Sequence, residues 1–176
     1  MKALLVASAV LILTVASCKD AGCPAVPGTR AIALSAKDSI VERNRSTALA
    51  SVLAMNRHDY DETFKDYAPN AIAYGDSTGG KPIRGIDSIR TDLDVFIKAF
   101  PDFHGKNFVA IADNNHAAVF ADWTGTFKFE MMGLKPTGRS FSVKDVDCFT
   151  FDSRGKIIAH RTIQSNQTIN NQVGIK

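Results

Sequence analysis

Pro101 divides the chain into two halves of different hydrophobic period, and that change constrains the fold more than any other feature. Before it, apolar residues recur at helical spacing, with Val41, Ala48, Val52 and Met55 on one stretch. Ile86, Ile89, Leu93, Phe96, Ile97 and Phe100 form a second helical stripe. After it, apolar and polar residues alternate, and candidate strands run Lys106 to Ala112, Ala117 to Glu130, Ser140 to Phe151 and Lys156 to Gln167. Helices first and strands after predict an α+β domain, with helices packed on one face of a bent, antiparallel, meander-like sheet.

Local signals place the elements. Ser35 with Asp38, and Asp59 with Glu62, read as capping pairs that open a long first helix ending near Asn56 and a short second one. The short helix carries Tyr60, Phe64 and Tyr67 inward, and Pro69-Asn70 stops it. A short strand from Ala71 to Tyr74 and a loop from Gly75 to Pro82 precede the helix that Pro101 ends. In the second long strand Val119, Ala121, Trp123, Gly125, Phe127 and Phe129 alternate with Phe120, Asp122, Thr124 and Thr126, so the first set should face the helices.

With 176 residues and 45% hydrophobic composition, the chain supports one ordinary core plus appendages. Met1-Lys2 followed by an apolar run from Ala3 to Ala16 has the form of a secretory signal. It is shorter than the roughly 20 residues a spanning helix needs. The run ends in Val15-Ala16-Ser17-Cys18, which resembles a bacterial lipobox, so residues 1–17 are expected to be a lipoprotein signal peptide and Cys18 the lipidated residue. Residues 18–34, with Gly22, Pro24, Pro27 and Gly28, read as a flexible tether, and residues 35–176 as the folded domain. The expected location is the bacterial cell envelope, lipid-anchored and extracytoplasmic. A formal charge of +3 with Lys and Arg scattered among Asp and Glu gives no basic stripe for a nucleic acid. The four histidines and the remaining Cys23 and Cys148 share no metal-ligand spacing, so no metal and no cofactor are expected.

The last hairpin carries the candidate chemistry. Asp152-Ser153-Arg154-Gly155-Lys156 fits a three-residue hairpin loop with Gly155 in the left-handed position, which pairs Asp152 with Lys156. Strict alternation from there sets Phe151 opposite Ile157, Phe149 opposite Ala159, Asp147 opposite Arg161, Asp145 opposite Ile163 and Val143 opposite Ser165. Asp147 and Arg161 are then expected as an inward ion pair, with Asp145 and Ser165 on the same face and His160 outside.

With these residues laid out, the domain resembles the SnoaL-like group, polyketide cyclases and their relatives within the nuclear-transport-factor-two-like superfamily. The resemblance is carried by Asn56-Arg57-His58-Asp59-Tyr60-Asp61, Tyr67-Ala68-Pro69-Asn70-Ala71, Arg84-Gly85-Ile86 and Phe100-Pro101-Asp102-Phe103. Further on come Trp123-Thr124-Gly125-Thr126, Pro136-Thr137-Gly138-Arg139, Gly155-Lys156-Ile157 and Gln172-Val173-Gly174. It implies a cone-shaped barrel, a strongly bent antiparallel sheet wrapped around the N-terminal helices and enclosing a pocket. It also implies a catalytic aspartate on the last strand, seven residues before the closing glutamine; here that position is Ser165. A lone serine is a weak base, so Asp145 or Asp147 with Arg161 are the substitutes.

Tyr74, Trp123, Phe127 and Ile163 are the candidate pocket lining, and Met131-Met132 a candidate cap over its mouth. Val146, Cys148 and Ile158, beside Ser142, Thr150 and Thr162, form an outward patch consistent with a homodimer. Three functions follow. The first is an anchored envelope protein that binds a small, largely apolar molecule. The second is an enzyme of the cyclase, isomerase or hydrolase kind. The third is a dimerising module with a vestigial pocket.

Overall fold

The computed structural model of the protein describes residues 36–75, 81–163 and 166–175. The expected signal peptide, Cys18, the tether and Ser165 lie outside the described residues.

Helix α1 (Ala36–Asn56) buries Asn44, Ala48, Ser51 and Val52, one face at helical spacing. Its one deeply buried amide is satisfied, because Asn44 Nδ2 donates to the carbonyls of Asp113 and Asn114 at 3.1 and 3.0 Å while Arg43 donates to its Oδ1. Helix α2 (Tyr60–Phe64) is capped by Asp59, whose Oδ1 accepts from Glu62 N at 3.1 Å. Helix α3 (Ile86–Ala99) turns Ile89 and Ile97 into the core.

Strands β1 (Tyr67–Tyr74), β2 (Ile83–Arg84), β3 (His104–Ala112), β4 (His116–Thr126), β5 (Ser140–Phe151) and β6 (Ile157–Thr162) form one sheet in the order β2-β1-β6-β5-β4-β3. The stretch from β3 to β6 is the expected antiparallel meander. The other half differs, since β1 starts at Tyr67 rather than Ala71 and joins β6 in parallel. Pro69 therefore does not stop a helix; it lies inside β1, between Tyr67 and Ile72, where the pairing to β6 is irregular. A proline is tolerated there because the ladder does not use its missing N–H. The final strand is also shorter than expected, and after it the chain forms a helix, α4 (Asn166–Val173), tied down by Thr137 Oγ1 donating to Val173 O at 2.6 Å.

Val119, Ala121, Trp123 and Phe127 are buried as the alternation requires, but Phe129 is 59% exposed. The sheet pairing of β4 ends at Thr126, and Lys128 and Phe129 instead donate to Ala99 O, which releases the chain from the strand period. Phe127 is fully buried against Phe100, with ring centroids 5.3 Å apart. The core is aromatic. Trp123 stacks on Phe103 at 4.5 Å and Phe96 on Phe100 at 4.7 Å. On the outer sheet face Val109, Ile111, Phe120 and Ile158 are exposed.

Gly105 pairs with Trp123 across β3 and β4, and a Cβ there would lie 2.6 Å from the indole and 2.9 Å from Phe108. The indole lies where a side chain at Gly105 would go. Gly105→Ala is expected to cost about 1–3 kcal/mol by overpacking. Urea denaturation followed by Trp123 fluorescence should show a lower midpoint at unchanged slope.

Candidate functional site

The hairpin begins as expected and then departs from alternation. Asp152 N donates to Lys156 O at 2.9 Å, Gly155 has φ +84°, and Phe151 faces Ile157. The next pair is Thr150 with Ala159, so β6 carries one extra residue, Ile158, against β5. This is a β-bulge, and past it the two faces of β6 are exchanged.

The exchange corrects the expected pairing. Asp147 lies opposite Thr162, and Arg161 lies opposite Cys148. Arg161 is exposed and holds its guanidinium over the ring of Tyr74, its β1 neighbour, at 4.6 Å. Ile163 is 58% exposed. His160 and Thr162, expected outside, turn inward, and His160 Nε2 hydrogen-bonds with Asp147 Oδ1 at 2.9 Å. Because the extra residue is in β6 alone, β5 keeps Phe149, Phe151 and Asp147 buried. The slip thus changes the polar partner without disturbing the apolar face that opposes it.

The cone encloses a cavity of about 320 Å³. Its walls are mainly aromatic and aliphatic, with Phe96, Phe103, Trp123, Phe141, Phe149 and Tyr74 among them. Phe127 and Ile163 do not line it, whereas Met131 and Met132 do, at a turn closed by a Met131–Leu134 bridge. From α4, Ile169 and Asn170 reach the same space.

Asp147 is 2% exposed; its Oδ2 has no hydrogen-bond partner among the described residues. The imidazole of His160 stacks on Phe149 at 4.8 Å and meets Tyr67 edge-on at 6.5 Å, which fixes its plane. Burial pushes the Tyr67 phenol well up, with the Asp147 charge adding to it and a Ser51 hydrogen bond opposing it. Asp145 also lines the cavity, but its Oδ1 accepts from Val146 N at 2.6 Å and Ile163 N at 3.2 Å, so part of its capacity pins the end of β6. Among the described residues no group of three or more His, Cys, Asp or Glu is placed to hold a metal ion.

Two titratable wall residues escaped the sequence reading. His160 could not be placed without knowing of the bulge. Asp92 could have been, because it sits three residues after Ile89 and four before Phe96, on the apolar stripe of α3. Burial pushes its carboxyl up from the ordinary value. An acid whose folded value is raised supports the fold below its unfolded value and loses that support as pH rises through the folded value. Asp92→Asn is therefore expected to raise the melting temperature at pH 7, with the gain vanishing below about pH 4, near the ordinary aspartate value. Calorimetry of both proteins across that range checks it.

Comparison with curated protein sequences returned no match. Solved structures share the fold. One is a candidate polyketide cyclase from Xanthomonas campestris, 17% identical, TM-score 0.68, aligned over 76% of this chain and 98% of that one. Another is IdmH, a candidate polyketide cyclase from Streptomyces antibioticus, 25% identical, TM-score 0.60, over 74% and 98%. A third, from Catenulispora acidiphila, has a ketosteroid isomerase-like fold and was solved with trimethylamine; it is 14% identical, TM-score 0.60, over 74% and 93%. The family model of SnoaL-like polyketide cyclases matches residues 45–173, most of the chain, and the chain belongs to that family.

Proposed function

We propose that this domain binds a small, largely apolar molecule in the cone cavity and takes a hydrogen-bond donor of that molecule on Asp147. The observation that supports it is Asp147, whose Oδ2 has no hydrogen-bond partner among the described residues, in the wall of an open, mostly apolar space of about 320 Å³. Such a volume is at the lower end of small-molecule sites, which span about 300–1,000 Å³. A buried oxygen left without a donor costs about 1–3 kcal/mol, and a bound donor recovers it. A plugged cone would have favoured the vestigial module instead.

A second reading, an enzyme of the cyclase or isomerase kind, is favoured by the 2.9 Å contact between Asp147 and His160. A carboxylate and an imidazole in contact can accept a proton from an activated carbon and return it elsewhere on the same molecule. His160 then takes the place expected for Arg161, which lies outside the cavity. We further infer delivery to the envelope by lipidation at Cys18, which the sequence around it supports.

Mass spectrometry of whatever co-purifies with the protein identifies the occupant. Asp147→Asn is expected to weaken its binding about tenfold to a hundredfold, the value of a charge-assisted hydrogen bond. An unchanged affinity counts against the binding role of Asp147. Solvent deuterium entering an activated methylene, and ceasing in the same variant, supports the second reading. Cys18→Ala is expected to move the protein from the membrane to the soluble fraction.

A further inference from the structure

We propose that the cavity selects an organic cation, a lipophilic amine or quaternary ammonium, with the positive centre beside Asp147 and the apolar part among the aromatic rings. This rests on the cavity being a small-molecule site, as argued above. Three carboxylates line the space: Asp145 and Asp147 from the sheet and Asp92 from α3. Among the described residues no lysine or arginine lines the space, and His160, even when protonated, balances one carboxylate only.

Two guanidiniums are held behind the walls. Arg161 sits over Tyr74 at 4.6 Å and Arg90 over Phe64 at 5.6 Å, both rings lining the cavity while neither arginine does. Arg90 is further engaged with Asp61 at 2.6 Å. The Arg90 charge is thereby offset by Asp61, and neither guanidinium lines the space that Asp147 and Asp92 line.

A cluster of acids alone would not specify a ligand. Asp147 adds the specific element, a lining residue 2% exposed whose Oδ2 has no hydrogen-bond partner among the described residues. Such an oxygen is most favourably met by a positive donor or a positive centre. The aromatic side chains of Trp123, Phe103, Tyr67 and Phe141 line the same space, and an ammonium is attracted to aromatic rings when desolvated. An anionic guest would meet like charge, and a neutral one would leave the excess negative charge uncompensated. The upward push on the Asp92 carboxyl, caused by burial alone, is what an acid facing an apolar space without a cation experiences.

Trp123 is the only tryptophan of the chain and lines the cavity, so its fluorescence reports occupancy. The full chain is titrated with benzyltrimethylammonium, with its near-isosteric neutral alcohol 2-methyl-1-phenylpropan-2-ol, and with phenylacetate. The cation is expected to bind at least about tenfold tighter than the alcohol, and Asp147→Asn to remove most of that preference. Equal or tighter binding of the alcohol or of phenylacetate overturns the cation preference and leaves the small-molecule site standing. Failure of all three to bind counts against the site itself. If Asp147→Asn does not fold by circular dichroism, Asp92→Asn takes its place; it should weaken the cation and spare the alcohol, and an unchanged cation affinity overturns the proposal.

Discussion

A carboxylate stays inside an aromatic cavity only if its charge is held, and the contact of Asp147 with His160 at 2.9 Å does that here. Much of the surrounding architecture serves it. Phe149 and Tyr67 orient the imidazole, the bulge at Ile158 turns it inward, and the parallel pairing of β1 with β6 closes the sheet beside it. One oxygen of the pair is left over, and that remainder gives an otherwise apolar cone a direction.

The aromatic framework is what keeps the space open. Trp123 of β4 stacks on Phe103 in the connection after α3, Phe96 stacks on Phe100 at the end of α3, and Gly105 and Gly125 leave room for the rings of Trp123 and Phe141. Large flat side chains braced in this way cannot collapse inward without losing their own contacts. Met131 and Met132 at the turn are flexible by contrast, so the wall combines a stiff interior with an adaptable margin.

Much of this was legible from residue order alone. The switch of period at Pro101, the cap at Asp59 and the turn at Gly155 each rest on local chemistry, and local chemistry is what a sequence displays. The ends of elements were less legible. Pro69 inside β1 and the exit of Phe129 from the β4 alternation depend on where neighbouring backbone offers or withholds a partner. The inward partner of Asp147 was misread for one reason: alternation is a parity rule, and a single unpaired residue reverses the parity of everything beyond it. Asp92 was overlooked although its spacing on α3 announces it, because an acid on an apolar stripe is easily passed over as an interruption.

The bulge has a consequence for how such a cavity diversifies. Had Ile158 never been present, Thr150 would still meet Ala159 and Phe149 would still meet His160, so loss of a codon leaves the pocket as it is. Gain of one between Ala159 and His160 would bring Arg161 to the inner wall and exile the imidazole. Length variation at this point can exchange an imidazole for a guanidinium beside the same carboxylates while the aromatics of the scaffold keep their places, a route to new guests that substitutions in the core do not offer.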